Sequence, residues 1–263
     1  MKKKRYKKLT AILAAVLLLC SGIPVMAAEV NNGTTYPVST NAIANWPQGP
    51  DTYSETAVLM DADTGAILYN KGMDEKRYPA SITKIMTAML ALQSGKLNDT
   101  VTITQDNVTL EDGSQVCGFV AGDQVTLDQL LHCLLVYSGN DAASAIAEYV
   151  GGNTENFVQM MNDYAAKLGC TGTHFSNPHG LQDENHYTTP YDIYLMLNEA
   201  FTYPEFTEIT ELPSYTVTYT GSDGTEKSTT LTATDHYLTG EATAPKDVTI
   251  LGLISASGMS PIR

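Results

Sequence analysis

Apolar side chains recur every three or four residues through the middle of this chain. That spacing places them on one face of an α-helix, and such a face must be buried against another element. One of these apolar segments opens with a capping box, formed by Thr126 and Gln129. The chain therefore folds around several packed helices, predicted at 81–92, 126–135, 141–150, 156–168 and 190–201.

Strand patterns flank the helical region on both sides. Residues 57–60 and 66–69 are apolar runs joined by a turn rich in Asp and Gly, which predicts a hairpin. Between 215 and 219 apolar and aromatic residues alternate with threonines, and a second run ends at Leu231, which predicts another hairpin. We therefore predict an α+β fold in which a helical core packs against an antiparallel sheet.

The amino terminus predicts export from the cytoplasm. Residues 1–28 combine a basic start, a short apolar run and small residues, which is the pattern of a secretory signal peptide. Lipid attachment at Cys20 is a weaker alternative, because Leu19 precedes it where a small residue is expected. Residues 29–52 lack periodicity and predict a flexible linker, so we place the folded domain at 53–252.

The charge of the mature chain excludes two classes of partner. Removal of the signal peptide leaves nine basic against twenty-nine acidic residues, a net charge of −20. A chain this acidic is not expected to bind nucleic acid or to adhere to anionic lipid. Three cysteines remain, and none of their spacings resembles a zinc site. We expect no metal and three buried thiols, at Cys117, Cys133 and Cys170.

A possible nucleophile lies at the start of the first helix, where Lys84 follows Ser81 by three residues. About one helical turn separates the two, so the hydroxyl and the amine share a face. A lysine can accept the proton of a serine only if its surroundings lower its pKa. A Ser-x-x-Lys sequence is expected about once by chance in a chain of this composition. An ordinary helix start with a surface lysine is therefore the alternative.

A second polar segment, Ser138, Gly139 and Asn140, interrupts two apolar helices. These residue types are common in tight turns, so an interhelical loop without chemistry is the alternative. Its pairing with Ser81 and Lys84 makes the segment a candidate part of the same site.

Together these segments resemble the serine D-alanyl-D-alanine carboxypeptidases, low-molecular-mass penicillin-binding proteins of the peptidase S11 type. The similar stretches are PASITKIMTAMLAL from Pro79, GSQV from Gly113, LLVYSGNDAASAIAEYV from Leu134 and THFSNPHGLQDENHYTTPYD from Thr173. They extend over most of residues 53–252. The resemblance implies a β-lactamase/transpeptidase-like domain that acts on the D-Ala-D-Ala end of peptidoglycan stem peptides.

The resemblance also implies a role for each site residue. Ser81 would be the nucleophile, Lys84 the general base and Ser138 the proton relay, with Asn140 and Gly139 binding substrate. β-Lactam antibiotics would acylate the same serine, and neither a metal nor a cofactor is implied. The family's proton acceptor is lysine, so we expect structural roles for the histidines, including His174, His179, His186 and His236.

One family element is missing from this sequence. No Lys-Thr-Gly or Lys-Ser-Gly follows Gly252, and residues 253–263 do not resemble the family. We expect a truncation that removes the last strands and the closing helix. The resemblance implies that the strand with the Lys-Thr-Gly motif supplies one of two oxyanion-hole N–H groups. Losing one such donor costs about 100- to 1,000-fold in turnover. We therefore expect little activity from the chain as written.

Two alternatives remain open. A class A β-lactamase shares the serine and lysine, but it carries Asp where this chain has Gly139, and it needs an acidic base for deacylation. A non-catalytic wall-peptide-binding remnant is the second alternative, because the third motif is absent. Substitution of Ser81 by Ala would abolish an enzyme's function and leave a binding protein's function intact.

Overall fold

The computed structural model describes residues 52–246, residues 49–50 and the backbone of 38–39. The predicted signal peptide, most of the linker and the predicted tail lie outside the described residues. Helices and antiparallel strands are both present, which confirms the α+β prediction. The helices are α1 (Lys84–Gln93), α2 (Gln105–Val108), α3 (Leu127–Tyr137), α4 (Asn140–Gly151), α5 (Thr154–Leu168), α6 (Pro190–Ala200) and α7 (Pro204–Thr210). The strands are β1 (Val38–Ser39), β2 (Ala57–Met60), β3 (Ile67–Lys71), β4 (Thr100–Thr102), β5 (Gln124–Thr126), β6 (Ser214–Thr220) and β7 (Glu226–Thr232).

The described strands form two antiparallel sheets, whereas the sequence predicted a single one. The first sheet has the order β1-β3-β2, and the second has the order β4-β5-β6-β7. The two predicted hairpins are both present, but each belongs to a different sheet. In the second hairpin Thr216 pairs with Thr230, and Val217 and Tyr219 point into the core.

Five short elements were not predicted from the sequence, and one of them, β1, lies within the predicted linker and pairs with β3. The strands β4 and β5 have three residues each, which is too short to show a period of two. The helices α2 and α7 have four and seven residues, fewer than the window in which a helical period can be read. Pairing between distant segments stabilises β4 and β5, so local sequence carries little trace of them.

The helix α1 lies at the centre of the core. Every residue from Lys84 to Ala91 is buried, because α3, α4, α5 and α6 all pack around this helix. Burial of a Leu, Ile or Met side chain stabilises the fold by about 1.5–3 kcal/mol. A helix buried on all sides holds its first residue, Lys84, in a fixed and water-poor position.

Caps define where the helices begin. Thr126 and Gln129 form the predicted capping box of α3, and Thr189 caps α6 ahead of Pro190. The helix α5 begins two residues earlier than predicted, because the side chain of Asn153 accepts a hydrogen bond from the backbone N–H of Asn156. Within the part of the chain that the structure describes, no helix is both long and apolar enough to cross a bilayer.

Candidate active site

The candidate nucleophile lies in a 3₁₀ turn, Ala80–Thr83, and not inside an α-helix as predicted. Lys84 is the first residue of α1. Residues three apart eclipse one another in a 3₁₀ turn, so the turn brings the two side chains together. Lys84 Nζ donates to Ser81 Oγ over 3.2 Å. Ala80 has a φ of +46°, a strained conformation for a residue with a Cβ.

Lys84 has three hydrogen-bond acceptors around its amine. Besides Ser81, its Nζ donates to Asn140 Oδ1 over 2.7 Å and to the carbonyl oxygen of His179 over 2.8 Å. Burial lowers the pKa of Lys84 from 10.5 to about 7, although the nearby Asp141 carboxylate acts in the opposite direction. Near neutral pH a substantial fraction of Lys84 is therefore neutral and can accept a proton.

The segment Ser138, Gly139 and Asn140 is the turn between α3 and α4. Ser138 is left-handed, with a φ of +65°, and Asn140 begins α4. The structure thus brings Asn140 into direct contact with Lys84. Ser138 lies in the same turn, but within the described residues its hydroxyl makes no hydrogen bond to Ser81 or Lys84.

Gly139 is sterically required where it stands. A Cβ at this position would lie 2.3 Å from Cys117 Sγ and 3.0 Å from Asp141 Oδ1. The Asp that class A β-lactamases carry here would collide with the same atoms. Cys117, like Cys133 and Cys170, is a free and buried thiol, as the sequence analysis predicted.

Asp141 holds a loop against this turn, a role that was not predicted from the sequence. Its buried carboxylate accepts hydrogen bonds from the backbone N–H groups of Cys117, Gly118 and Phe119, at 2.9, 3.0 and 3.4 Å. The only hint in the sequence is an acidic residue in the first turn of a helix, which is a common stabilising feature.

The Gly113 segment, GSQV, joins the site through the same loop. The backbone N–H of Asn140 donates to the carbonyl oxygen of Gln115 over 2.8 Å. The amide nitrogen of the Gln115 side chain also donates to the carbonyl oxygen of Tyr137. These bonds place the loop directly on the turn that carries Ser138 and Asn140.

The segment around His179 forms the opposite wall. It contacts Lys84 through the main-chain carbonyl of His179 and not through the imidazole. Burial lowers the pKa of His179 to about 3, so this ring is neutral at neutral pH. Gly180 has a φ of +92°, and a Cβ on it would lie 1.8 Å from the carbonyl oxygen of Ala80. Only glycine allows this segment to approach the turn that carries Ser81.

Chemically, the site is a serine hydroxyl beside a buried amine that is partly neutral. Such a pair can form an acyl-enzyme with a carbonyl substrate. Among the described residues, no cluster of three or more His, Cys, Asp or Glu side chains could hold a metal ion.

Solved structures with the same fold support this description. The DD-transpeptidase of Streptomyces K15 superposes with a TM-score of 0.69 and 29% identity, covering 76% of this chain and 79% of that one. A D-alanyl-D-alanine carboxypeptidase from Mycobacterium tuberculosis H37Rv superposes with a TM-score of 0.65 and 30% identity, covering 76% and 72%.

Curated relatives point the same way. D-alanyl-D-alanine carboxypeptidase DacF of Bacillus subtilis is 40% identical over 161 residues, which are 60% of this chain and 41% of the relative. DacA of Haemophilus influenzae is 35% identical over 201 residues, which are 72% of this chain and 46% of the relative. The chain thus spans less than half the length of these relatives. Residues 43–246 also match the peptidase S11 family, described as D-alanyl-D-alanine carboxypeptidase. Because this match covers most of the chain and includes every segment of the site, the chain belongs to the peptidase S11 family.

Proposed function

We propose that this protein is a serine D-alanyl-D-alanine carboxypeptidase that removes the terminal D-Ala from peptidoglycan stem peptides. The observation that carries the proposal is the contact between Ser81 Oγ and Lys84 Nζ, a buried amine with a pKa of about 7. Neutral lysine can take the hydroxyl proton, which activates the serine as a nucleophile. The family membership supports the choice of substrate.

In the proposed reaction, Ser81 Oγ attacks the carbonyl carbon of the penultimate D-Ala while Lys84 takes its proton. The new O–C bond forms, the C–N bond to the terminal D-Ala breaks, and Ser138 relays the proton held by Lys84 to the departing nitrogen, which returns Lys84 to its neutral form. Water then hydrolyses the acyl-enzyme and restores Ser81. Because Asn140 Oδ1 already accepts from Lys84, its amide N–H groups are left to bind the substrate beside Gly139.

The proposed partners are stem peptides ending in D-Ala-D-Ala, and β-lactam antibiotics as covalent inhibitors of Ser81. The proposed location is outside the cytoplasm, at the cell wall or on the outer face of the membrane, because residues 1–28 have the pattern of a signal peptide. No step of this reaction requires a metal or a cofactor.

The test is to incubate the purified chain with a fluorescent penicillin and to measure its intact mass. We expect one penicillin adduct per chain, absent from Ser81→Ala and present in the control Ser94→Ala, whose hydroxyl caps the far end of α1. Release of D-Ala from a peptide ending in D-Ala-D-Ala measures the complete reaction. A folded chain that forms no adduct and releases no D-Ala would contradict the proposal.

The same experiment, with binding of wall peptide measured beside it, separates the alternatives. A class A β-lactamase would turn penicillin over rapidly, whereas a carboxypeptidase is expected to keep a slow, stable adduct. A non-catalytic remnant would bind wall peptide equally well with Ser81→Ala. The low activity expected without a Lys-Thr-Gly segment stays a prediction, and near-normal release of D-Ala would contradict it.

A further inference from the structure

A buried hydrogen bond joins the turn that carries the nucleophile to a distant histidine. Thr83 Oγ1 and His186 Nε2 are 2.7 Å apart, and both residues are about 1% exposed. Thr83 stands between Ser81 and Lys84, and 103 residues separate it from His186 in sequence. The reaction described above makes no use of this bond.

The partner of His186 Nδ1 determines which atom donates in the hydrogen bond between His186 and Thr83. His186 Nδ1 accepts a hydrogen bond from the backbone N–H of Ser176 over 2.9 Å, so Nδ1 carries no proton. In a neutral imidazole the proton must then be on Nε2, which donates it to Thr83 Oγ1. The hydrogen bond from Ser176 thus fixes the tautomer.

The surroundings keep this ring neutral. Burial lowers the pKa of His186 to about 4, with His174 acting in the same direction and the Asp183 carboxylate opposing it. His179, which is only partly exposed, is neutral as well. The ring of Phe175 packs edge-on against the imidazole and fixes its plane. Position and protonation state are therefore both determined before any substrate binds.

The turn is strained and has no side-chain cap, so a contact from another segment helps to fix it. Ala80 has its φ at +46°, and the side chain of Thr83 makes no capping bond to α1. The bond to His186 ties the turn to the segment whose His179 carbonyl accepts from Lys84. A single segment thus fixes both members of the Ser81–Lys84 pair. A displacement of about 1 Å between reacting groups can cost 100-fold in rate.

We propose that His186 is a positioning residue, which holds the turn 80–83 through Thr83 and so keeps Ser81 Oγ within reach of Lys84 Nζ. The inference rests on the proposed function, because it assigns His186 a part in activating the same serine.

The test compares a variant that removes the Thr83 hydroxyl with one that keeps it. Thr83→Val keeps the shape of the side chain but loses the acceptor, and Thr83→Ser keeps the acceptor. Thr210→Val is the control, because Thr210 is also buried but its hydroxyl bonds within α7. For each variant, the melting temperature and the rate of Ser81 labelling are measured with two probes, a fluorescent penicillin and a fluorophosphonate that reacts with any activated serine.

We expect Thr83→Val to label about 10- to 100-fold more slowly with both probes. Thr83→Ser should label within about threefold of the wild type, and so should Thr210→Val even if its melting temperature falls. His186→Phe should slow labelling as much as Thr83→Val, and the double variant no further, because both remove one bond.

The two probes separate the failure of this inference from the failure of the proposed function. Labelling of Ser81 by the fluorophosphonate but not by the penicillin would refute the proposed function, and the fluorophosphonate rates would still test the role of His186. Equal labelling of Thr83→Val and the wild type would overturn the inference. A wild-type Ser81 that reacts with neither probe would overturn both.

Discussion

The close approach of Gly180 to the turn that carries Ser81 gives a prediction whose size follows from the structure. In Gly180→Ala the new Cβ would lie 1.8 Å from the carbonyl oxygen of Ala80 and 2.3 Å from its carbonyl carbon. Both are backbone atoms, so no rotamer change relieves the contact. The backbone must move, and it carries the Ala80–Ser81 turn with it.

A substitution at a second glycine, Gly224, separates the effect of the steric contact at Gly180 from the cost of a positive φ. Gly224 has a φ of +79°, but a Cβ on it would meet nothing within 4 Å. An alanine at either position costs about 1–2 kcal/mol for its positive φ. Crowding adds about 1–3 kcal/mol at Gly180 alone. We therefore expect a loss of about 2–5 kcal/mol for Gly180→Ala and about 1–2 kcal/mol for Gly224→Ala.

Thermal unfolding followed by circular dichroism measures this difference. For a domain of this size, 1 kcal/mol shifts the melting temperature by about 2–4 °C. Gly180→Ala should also slow acylation of Ser81 by penicillin, whereas Gly224→Ala, in the β6–β7 turn, should not. Equal melting temperatures and equal acylation rates for the two variants would refute the steric argument.

Three further predictions concern the rest of the site. The rate of Ser81 acylation should fall about tenfold per pH unit below pH 7, because the neutral form of Lys84 is lost as pH drops through its pKa of about 7. The rate should level off above that pH, and a profile of acylation rate against pH measures both limbs. Asp141→Asn should lower the free energy of unfolding in urea by about 1.5–3 kcal/mol for each charge-assisted bond lost, whereas Asp128→Asn, at the exposed start of α3, should change it little. Gly139→Ala should slow acylation because the new Cβ collides with Cys117 Sγ. Adding Cys117→Ala to the same chain should restore part of the rate, and no recovery would contradict the steric explanation.

Much of the fold can be predicted from local patterns. The apolar stripes of α3 and α5 and the alternation in β6 repeat over enough residues to be read directly, and caps such as Thr126 mark where helices begin. The division into two sheets could not be predicted. It depends on β5 pairing with both β4 and β6, and β6 lies about a hundred residues further along the chain.

The active site also combines features that local sequence determines with features that depend on the tertiary structure. The sequence by itself determined that a serine and a lysine stand three residues apart at a helix start, because helical geometry acts locally. Only the tertiary structure decided that Ser81 lies in a strained 3₁₀ turn, that burial lowers the pKa of Lys84, and that distant residues hold this pair. Burial and the hydrogen bonds of Asp141 and His186 join segments far apart in the chain, and no local spacing encodes which of them will meet.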